Sequence, residues 1–227
     1  MRSLVLFDVG GVLLRLRFAR FYRQAGKIAG ISPEEFKARY VSANLPQRGF
    51  TGEMRFRQYV KELNKILNAK ISYREAEKLV SLHLGAPIAG MLRLKKRLHE
   101  KGYCVGILSN VSEFAYKITM KKCPEIFDVF SSVNPRILSF RTGFRKPQSA
   151  IYKKIRGYDT VVFIDDKAAY VKEGIKHGWK GVVFTAFIDS EEASRAQDGD
   201  MRTPKGAKVA RSMKELKEAL RSYGIDA

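Results

Sequence analysis

Residues 4–12 read LVLFDVGGV: four apolar residues run into Asp8, and two glycines follow close behind. Four consecutive apolar residues are typical of a buried strand, and Gly10 and Gly11 favour a tight turn at its end. Asp8 is therefore expected at the carboxyl end of a central strand. In open α/β sheets, ligands bind at that edge.

Two later apolar runs also end in polar residues. Residues 105–108 lead into Ser109 and Asn110, and residues 161–164 lead into Asp165 and Asp166. Between these runs, the segment GFRKP at 143–147 places Lys146 just ahead of a helical pattern. An Asp, a Ser, a Lys and an Asp pair thus occur in this order, three of the four at predicted strand ends.

This order of motifs resembles the haloacid dehalogenase (HAD) superfamily of phosphatases and phosphotransferases. Each motif is weak alone, but four in order on the right elements are specific, and they extend over nearly the whole chain. The resemblance implies a Rossmann-like, doubly wound parallel sheet with an α-helical bundle inserted as a mobile cap after the first motif.

The resemblance also implies a mechanism that begins at Asp8. This carboxylate would attack the phosphorus of the substrate and form an aspartyl-phosphate. Mg²⁺ prefers oxygen ligands such as carboxylates. Its expected ligands are Asp8, the backbone carbonyl of Gly10 and Asp166. Asp165 is the next candidate ligand.

Three further residues are expected to bind the transferring phosphoryl group. Ser109 would hydrogen-bond its oxygens, and Asn110 would add its amide or side chain. Lys146 would pair with Asp8 and the phosphate and stabilise negative charge in the transition state. The catalytic set that the resemblance implies is therefore Asp8, Ser109 and Lys146.

Gly10 departs from the common pattern of the family, in which a second Asp stands at this position. A Gly keeps the backbone carbonyl for the metal but lacks the acid that protonates the leaving group. General acid–base catalysis contributes about 10²–10⁴ in rate. We therefore predict a preference for activated substrates such as aryl, acyl or anomeric sugar phosphates. A subgroup of the family with an FDxGG motif shares this Gly.

The chain between the first strand and residue 86 is predicted to be helical. Ser32, Thr51 and Ser72 each begin a pattern that is typical of a helix start. We expect a helical cap domain over 17–86 and a Rossmann-like core over 1–16 and 87–227. In the core, strands are expected at 103–108, 160–164, 181–184 and, as a short one, 129–133. The core helices include one at 149–156, and residues 186–206 are expected to form a long surface loop.

Composition indicates a globular protein with an unusual charge. Its 227 residues include 43 Lys+Arg against 23 Asp+Glu, a formal net charge of +20. Such a charge favours phosphorylated molecules and polyanions as partners. Five arginines in or just before the helical segment are candidates for reaching a second phosphate or an acidic substrate: Arg15, Arg17, Arg48, Arg55 and Arg57.

The sequence lacks an apolar run of about 18 residues, so no membrane span is expected. Asp8 and the glycines interrupt the first apolar run too early for a signal peptide. Cys104 and Cys123 have no metal-like spacing and are expected as reduced thiols. A cytoplasmic location is therefore expected, and the sequence leaves monomer and homodimer open.

Three functions remain open at this point. The first is a Mg²⁺-dependent phosphatase acting on a small phosphorylated metabolite. The second is hydrolytic dehalogenation of a 2-haloacid, which needs no metal and which the Asp165–Asp166 pair disfavours. The third is a weak or inactive member of the fold that binds nucleic acid or another polyanion through its basic surface. Salt-dependent retention on nucleic acid would separate the third from the first.

Overall fold

A six-stranded parallel sheet forms the centre of the computed structural model, which describes residues 2–187 and 203–227. Its strands are β1 (Ser3–Phe7), β4 (Cys104–Ser109), β5 (Arg136–Leu138), β6 (Thr160–Asp165), β7 (Lys180–Phe184) and β8 (Ala207–Ala210). Their order is β5-β4-β1-β6-β7-β8, so β1 lies between β4 and β6. The predicted doubly wound α/β fold is thereby confirmed.

Helices cover both faces of the sheet. They are α6 (Ala89–Glu100), α7 (Glu113–Lys122), α8 (Ser139–Thr142), α9 (Ser149–Tyr152), α10 (Ala168–Lys176) and α11 (Met213–Ser222), with a 3₁₀ turn at Pro124–Ile126. The side chains of β1 alternate between two apolar cores. Val5 and Phe7 lie in the core that includes buried residues of α6 and α11, whereas Leu4 and Leu6 lie in the core that includes α9. Burial on both faces explains why β1 is apolar without alternation.

Five helices form a bundle that is inserted between β1 and α6. They are α1 (Phe18–Ala29), α2 (Pro33–Ser42), α3 (Leu45–Phe50), α4 (Phe56–Leu67) and α5 (Tyr73–Ser81). This inserted bundle has its own apolar core, in which Phe21, Phe36 and Tyr59 are almost fully buried. The chain enters and leaves it through a short antiparallel pair, β2 (Leu14–Leu16) and β3 (Leu84–Pro87). The helical pattern predicted up to residue 86 therefore ends in a strand.

Side-chain caps start two of the bundle helices where the sequence predicts. The Ser32 hydroxyl accepts a hydrogen bond from the Glu35 N–H at 3.1 Å, and Ser72 and Glu75 form a reciprocal capping box. The start predicted at Thr51 is wrong, because α4 begins at Phe56. There the Gln58 side chain accepts from the Arg55 N–H at 3.0 Å.

Two other predictions about the core differ from the structure. Residues 129–133 form no strand, and the edge strand is the three-residue β5. The helix predicted over 149–156 ends at Tyr152. The loop predicted over 186–206 lies mostly outside the described residues. None of the helices in the described part of the chain has the length and apolar character needed to cross a membrane.

Candidate active site

Three polar side chains meet at the carboxyl edge of the sheet. Asp8 directly follows β1, Ser109 ends β4 and Asp165 ends β6. Because β4 and β6 both pair with β1 in parallel, with Phe7 opposite Ile107 and Ile164, the three strand ends coincide. All three side chains are buried, although residues at the ends of strands are exposed to solvent unless other parts of the chain cover them. The edge is therefore enclosed by loops and by the inserted bundle.

Lys146 lies at the centre of this edge. Its Nζ is 2.9 Å from Asp8 Oδ1 and 2.5 Å from Asp165 Oδ2, and its side chain is fully buried. Burial alone would lower the pKa of Lys146, but the carboxylates of Asp165 and Asp8 raise it above its ordinary value. The ammonium group therefore stays charged and holds Asp8 in place.

Asn110 holds the backbone of Lys146 from both sides. The Asn110 Oδ1 accepts from the Lys146 N–H at 2.8 Å, and the Asn110 Nδ2 donates to the Lys146 carbonyl at 3.0 Å. The Tyr170 ring lies 5.0 Å from the Lys146 Nζ. The Asn110 side chain thus positions Lys146, and the expected phosphate contact of Asn110 is left to its backbone amide.

Asp165 and Asp166 complete an acidic cluster with Asp8. One oxygen from each carboxylate lies within 4.8 Å of the others. Both oxygens of Asp165 accept hydrogen bonds, from Lys146 Nζ and from the Lys167 N–H at 2.8 Å. Within residues 2–187 and 203–227, no group donates a hydrogen bond to the Asp166 carboxylate. Asp166 is therefore the freer ligand of the two.

The cluster carries more negative charge than Lys146 can balance. Burial raises the pKa of Asp165 to about 6, even though Lys146 pulls it back. Burial, with the nearby carboxylates of Asp165 and Asp8, also raises the pKa of Asp166 well above its usual range. Three crowded carboxylates outnumber the two ammonium groups near them, Lys146 and Lys167, and are a donor set that fits a hard divalent cation.

The glycine turn after β1 lets the chain approach Asp166. Gly11 has a φ of +80°, and a Cβ there would lie 2.6 Å from Asp166 Oδ2. A side chain at Gly11 would therefore displace the carboxylate as well as strain the backbone. The atom nearest to a Cβ at Gly10 would be Leu16 Cδ1 at 2.8 Å, the mobile end of a side chain. Position 10 can therefore accept a side chain if Leu16 shifts.

A cavity of about 260 Å³ extends from this edge into the inserted bundle. Gly11, Asp166 and Lys167 line its active-site end. Most of the remaining wall is apolar and aromatic, formed by side chains such as Phe18, Tyr22, Tyr40, Tyr59 and Phe114. None of the five arginines proposed for a second phosphate is among the described residues that line it, and its cations are Lys37 and Lys167.

Several residues of this region cannot be identified from the sequence. Ser139 Oγ both accepts from the Val111 N–H and donates to the Val111 carbonyl, at 3.0 and 3.1 Å, and so fixes the turn after Ser109. Tyr170 and Gln47 reach the site only through the tertiary fold. Lys167 could have been identified from the sequence, since it directly follows the acidic pair Asp165–Asp166.

Comparison with known proteins rests on structure alone, because no protein-family model and no curated protein matches the chain. A HAD-family enzyme from Bacteroides thetaiotaomicron, in complex with magnesium and inorganic phosphate, has a TM-score of 0.69 at 21% identity over 80% of this chain and 93% of that one. The magnesium-bound HAD-family protein YfnB from Bacillus subtilis has a TM-score of 0.61 at 18% identity, covering 97% and 98%.

The L-2-haloacid dehalogenase of Xanthobacter autotrophicus has the same TM-score of 0.61, at 15% identity over 97% of this chain and 99% of that one. At such identities a structural likeness establishes the fold and leaves the reaction open. The chain therefore has the HAD fold, and the last two of these structures match 97% of its length.

Proposed function

We propose that this chain, which has the HAD fold, is a Mg²⁺-dependent phosphatase acting on a small phosphorylated metabolite. The observation that carries the proposal is the placement of Lys146 between Asp8 and Asp165, with the freer Asp166 carboxylate beside them. A bound Mg²⁺ would supply the positive charge that lets a carboxylate approach a phosphate dianion. Asp8 and Asp166 would hold it, together with the backbone carbonyl of Gly10, and Asp165 would lie close by.

Asp8 is the proposed nucleophile. One of its carboxylate oxygens forms a bond to phosphorus as the bond from phosphorus to the leaving oxygen breaks, and the leaving group keeps that electron pair. Water then attacks the phosphorus of the aspartyl-phosphate, which releases inorganic phosphate and regenerates Asp8. Lys146 and Ser109 would stabilise charge on the phosphoryl oxygens in both steps.

The dehalogenase alternative uses the same nucleophile without a cation. Asp166 disfavours it, because crowding a third carboxylate against Asp8 and Asp165 is unfavourable in a site that never binds a metal cation. The phosphatase proposal accounts for this residue, and the dehalogenase alternative does not.

The direct test is hydrolysis of p-nitrophenyl phosphate by the wild-type protein, with Mg²⁺ and after its removal by EDTA. We expect turnover with Mg²⁺ and a loss of at least about 10³-fold on removal, since charge stabilisation of this kind supplies several kcal/mol. Restoration by added Mg²⁺ would separate metal removal from damage to the protein. Equal turnover in EDTA would contradict the proposal.

Gly10→Asp is expected to lower the dependence of the rate on the leaving group. The new carboxyl group would supply the missing acid, which is worth about 10²–10⁴ for a poor leaving group and little for p-nitrophenolate. We therefore expect kcat for an alkyl phosphate to rise at least about tenfold relative to kcat for p-nitrophenyl phosphate. Gly10→Asn, of the same size but without an acidic proton, serves as the control. If both variants change the ratio alike, the missing acid is not the reason for the wild-type preference.

A further inference from the structure

We propose that one face of the core binds single-stranded nucleic acid through the phosphate backbone. The surface consists of the exposed side chains of residues 144–158 and 168–177, and we call it the α9–α10 surface. None of these residues lines the cavity beside the active site. The proposal goes beyond the phosphatase function and does not depend on it.

The two segments of the α9–α10 surface lie side by side. Ser149 Oγ is 3.0 Å from His177 Nε2, and the Tyr152 hydroxyl donates to the Tyr170 carbonyl at 2.9 Å. The rings of Tyr152 and His177 also stack, with centres 5.5 Å apart. Because these contacts lie near both ends of α10, the exposed side chains of the two segments form one continuous surface.

This surface carries almost no negative charge. The chain has no Asp or Glu between Asp128 and Asp159, and residues 168–177 contain only Glu173. The Glu173 side chain is 14% exposed and pairs with Lys176 at 2.8 Å. The resulting positive potential attracts the phosphates of a polyanion. Six cations stand against the single carboxylate: Arg145, Lys153, Lys154, Arg156, Lys172 and Lys176.

Other helices neutralise their exposed cations locally. Each of α2, α4, α6 and α7 contains a salt bridge between residues one turn apart, such as Arg39–Glu35 at 2.6 Å. Within residues 2–187 and 203–227, Arg145 and the three cations of 153–156 form no ion pair with a carboxylate. A helix face with alternating charges needs no partner, whereas uncompensated cations on one face favour an anionic one.

The α9–α10 surface extends from the catalytic edge of the sheet to the opposite edge. Lys146, next to Arg145, contacts Asp165 at the end of β6, and Arg156 lies shortly before Thr160, where β6 begins. At about 3.3 Å per residue, the six residues of β6 span about 20 Å. Phosphates of one nucleic-acid strand follow each other every 3.4 Å or so along a helix. The surface can therefore contact several phosphates at once.

Phe144 adds an aromatic ring at the catalytic end of this surface. The ring is 40% exposed, and Thr142 Oγ1 fixes the backbone of Phe144 by accepting from its N–H at 3.2 Å and donating to its carbonyl at 3.1 Å. An exposed ring beside cations is a platform for base stacking, as in proteins that bind single strands. Phe144 is also the one large apolar side chain exposed in the two segments, whereas a lipid surface requires several that can insert.

The test measures the binding of a fluorescein-labelled oligothymidylate of about 20 nucleotides by fluorescence anisotropy, between about 0.05 and 0.2 M salt. The oligonucleotide has hydroxyl ends, so it offers no phosphate monoester to the active site. Contacts with four to six phosphates predict that the logarithm of the association constant falls with the logarithm of the salt concentration with a slope of about −3 to −4.

A triple variant removes the unpaired cations after α9. Lys153→Gln, Lys154→Gln and Arg156→Gln together are expected to lower the affinity about 100-fold at 0.1 M salt and the magnitude of the slope by about 2. Phe144→Ala is expected to weaken binding about tenfold without changing the slope, because it removes stacking and no charge.

The matched control removes the same charge from the inserted bundle. Lys61→Gln, Lys70→Gln and Lys78→Gln change three exposed lysines, and the affinity should stay within about threefold of wild type if binding is local to the α9–α10 surface. Both triple variants should keep the Tm within about 3 °C of wild type, because exposed side chains contribute little to stability. Loss of binding is then not loss of the fold.

Three results would overturn the proposal. Equal weakening by the two triple variants would show that net charge attracts the oligonucleotide without a particular surface. Absence of wild-type binding at the lowest salt concentration would exclude a nucleic-acid site. Binding to vesicles of phosphatidylserine and phosphatidylcholine without binding to oligothymidylate would identify a lipid surface as the partner. Hydrolysis of p-nitrophenyl phosphate is measured separately, so failure of the phosphatase function leaves each of these results unchanged.

Discussion

Asp8→Asn is expected to reduce kcat for p-nitrophenyl phosphate by about 10⁴-fold or more. The amide oxygen is a poor nucleophile, and loss of the group that forms the covalent bond removes most of an enzyme's rate enhancement. Asp8 Oδ1 also pairs with Lys146, so the substitution removes the group that the buried ammonium orients. The measurement is steady-state hydrolysis in Mg²⁺ at saturating substrate.

Two controls make the loss of Asp8 interpretable. Asp159→Asn changes an exposed carboxylate just ahead of β6, at the opposite edge of the sheet, and should leave kcat within about twofold. Asp8→Asn should also keep or raise the Tm of the metal-free protein, because it removes one charge from a crowded acidic cluster. An Asp8→Asn protein that is folded and still turns over within tenfold of wild type would exclude Asp8 as the nucleophile.

Lys146→Met is expected to reduce kcat by about 10²–10³-fold, the usual effect of removing one preorganised charge from a transition state. It also leaves Asp8 and Asp165 without their cation, and breaking a buried pair costs about 3–5 kcal/mol of stability. Loss of activity alone is therefore ambiguous. Lys153→Met, which removes an exposed lysine, controls for the change in net charge.

A double variant resolves the ambiguity. Lys146→Met with Asp165→Asn removes both charges of the shorter ion pair, and we expect it to recover much of the lost stability without recovering kcat. Thermal unfolding and p-nitrophenyl phosphate hydrolysis measured on the same samples test this. Recovery of kcat together with stability would show that Lys146 serves the fold and not the reaction.

The strand-end residues of the site were predictable from the sequence because a parallel sheet brings strand ends together. Asp8, Ser109 and Asp165 each follow an apolar run that is buried on both faces, and such runs are clear in a sequence. Lys146 is not at a strand end, and its position was inferred from resemblance. The structure adds the physical reason for it, which is the pair of hydrogen bonds from the Asn110 side chain.

Short elements were the ones that the sequence did not predict correctly. Residues 129–133 look like a strand because Val129 and Phe130 are apolar, but Phe130 has a φ of +61° and Val133 is 69% exposed. The true edge strand β5 has three residues, too few for a periodic pattern. The strands β2, β3 and β8 have only three or four residues and were not predicted for the same reason.

The cavity beside the active-site edge depends on contacts that no local pattern encodes. Gln47 of α3, His83 of the turn after α5 and Phe114 of α7 are far apart in the sequence and meet only in the folded chain. The net charge of +20, by contrast, is evident from the sequence, but the arrangement of the site gives it no role.

The most direct measurement is the location of the phosphoryl group during turnover. Acid quenching of the wild-type protein with p-nitrophenyl phosphate and Mg²⁺, followed by trypsin and mass spectrometry, examines the peptide 3–15, whose only side-chain carboxylate is Asp8. We predict one phosphoryl group on this peptide that hydroxylamine removes, as it does from an acyl phosphate and not from Ser3. Turnover with the phosphoryl group on another peptide would contradict the account. Absence of turnover with every divalent metal would do so too, and salt-sensitive binding to nucleic acid would then become the explanation to test.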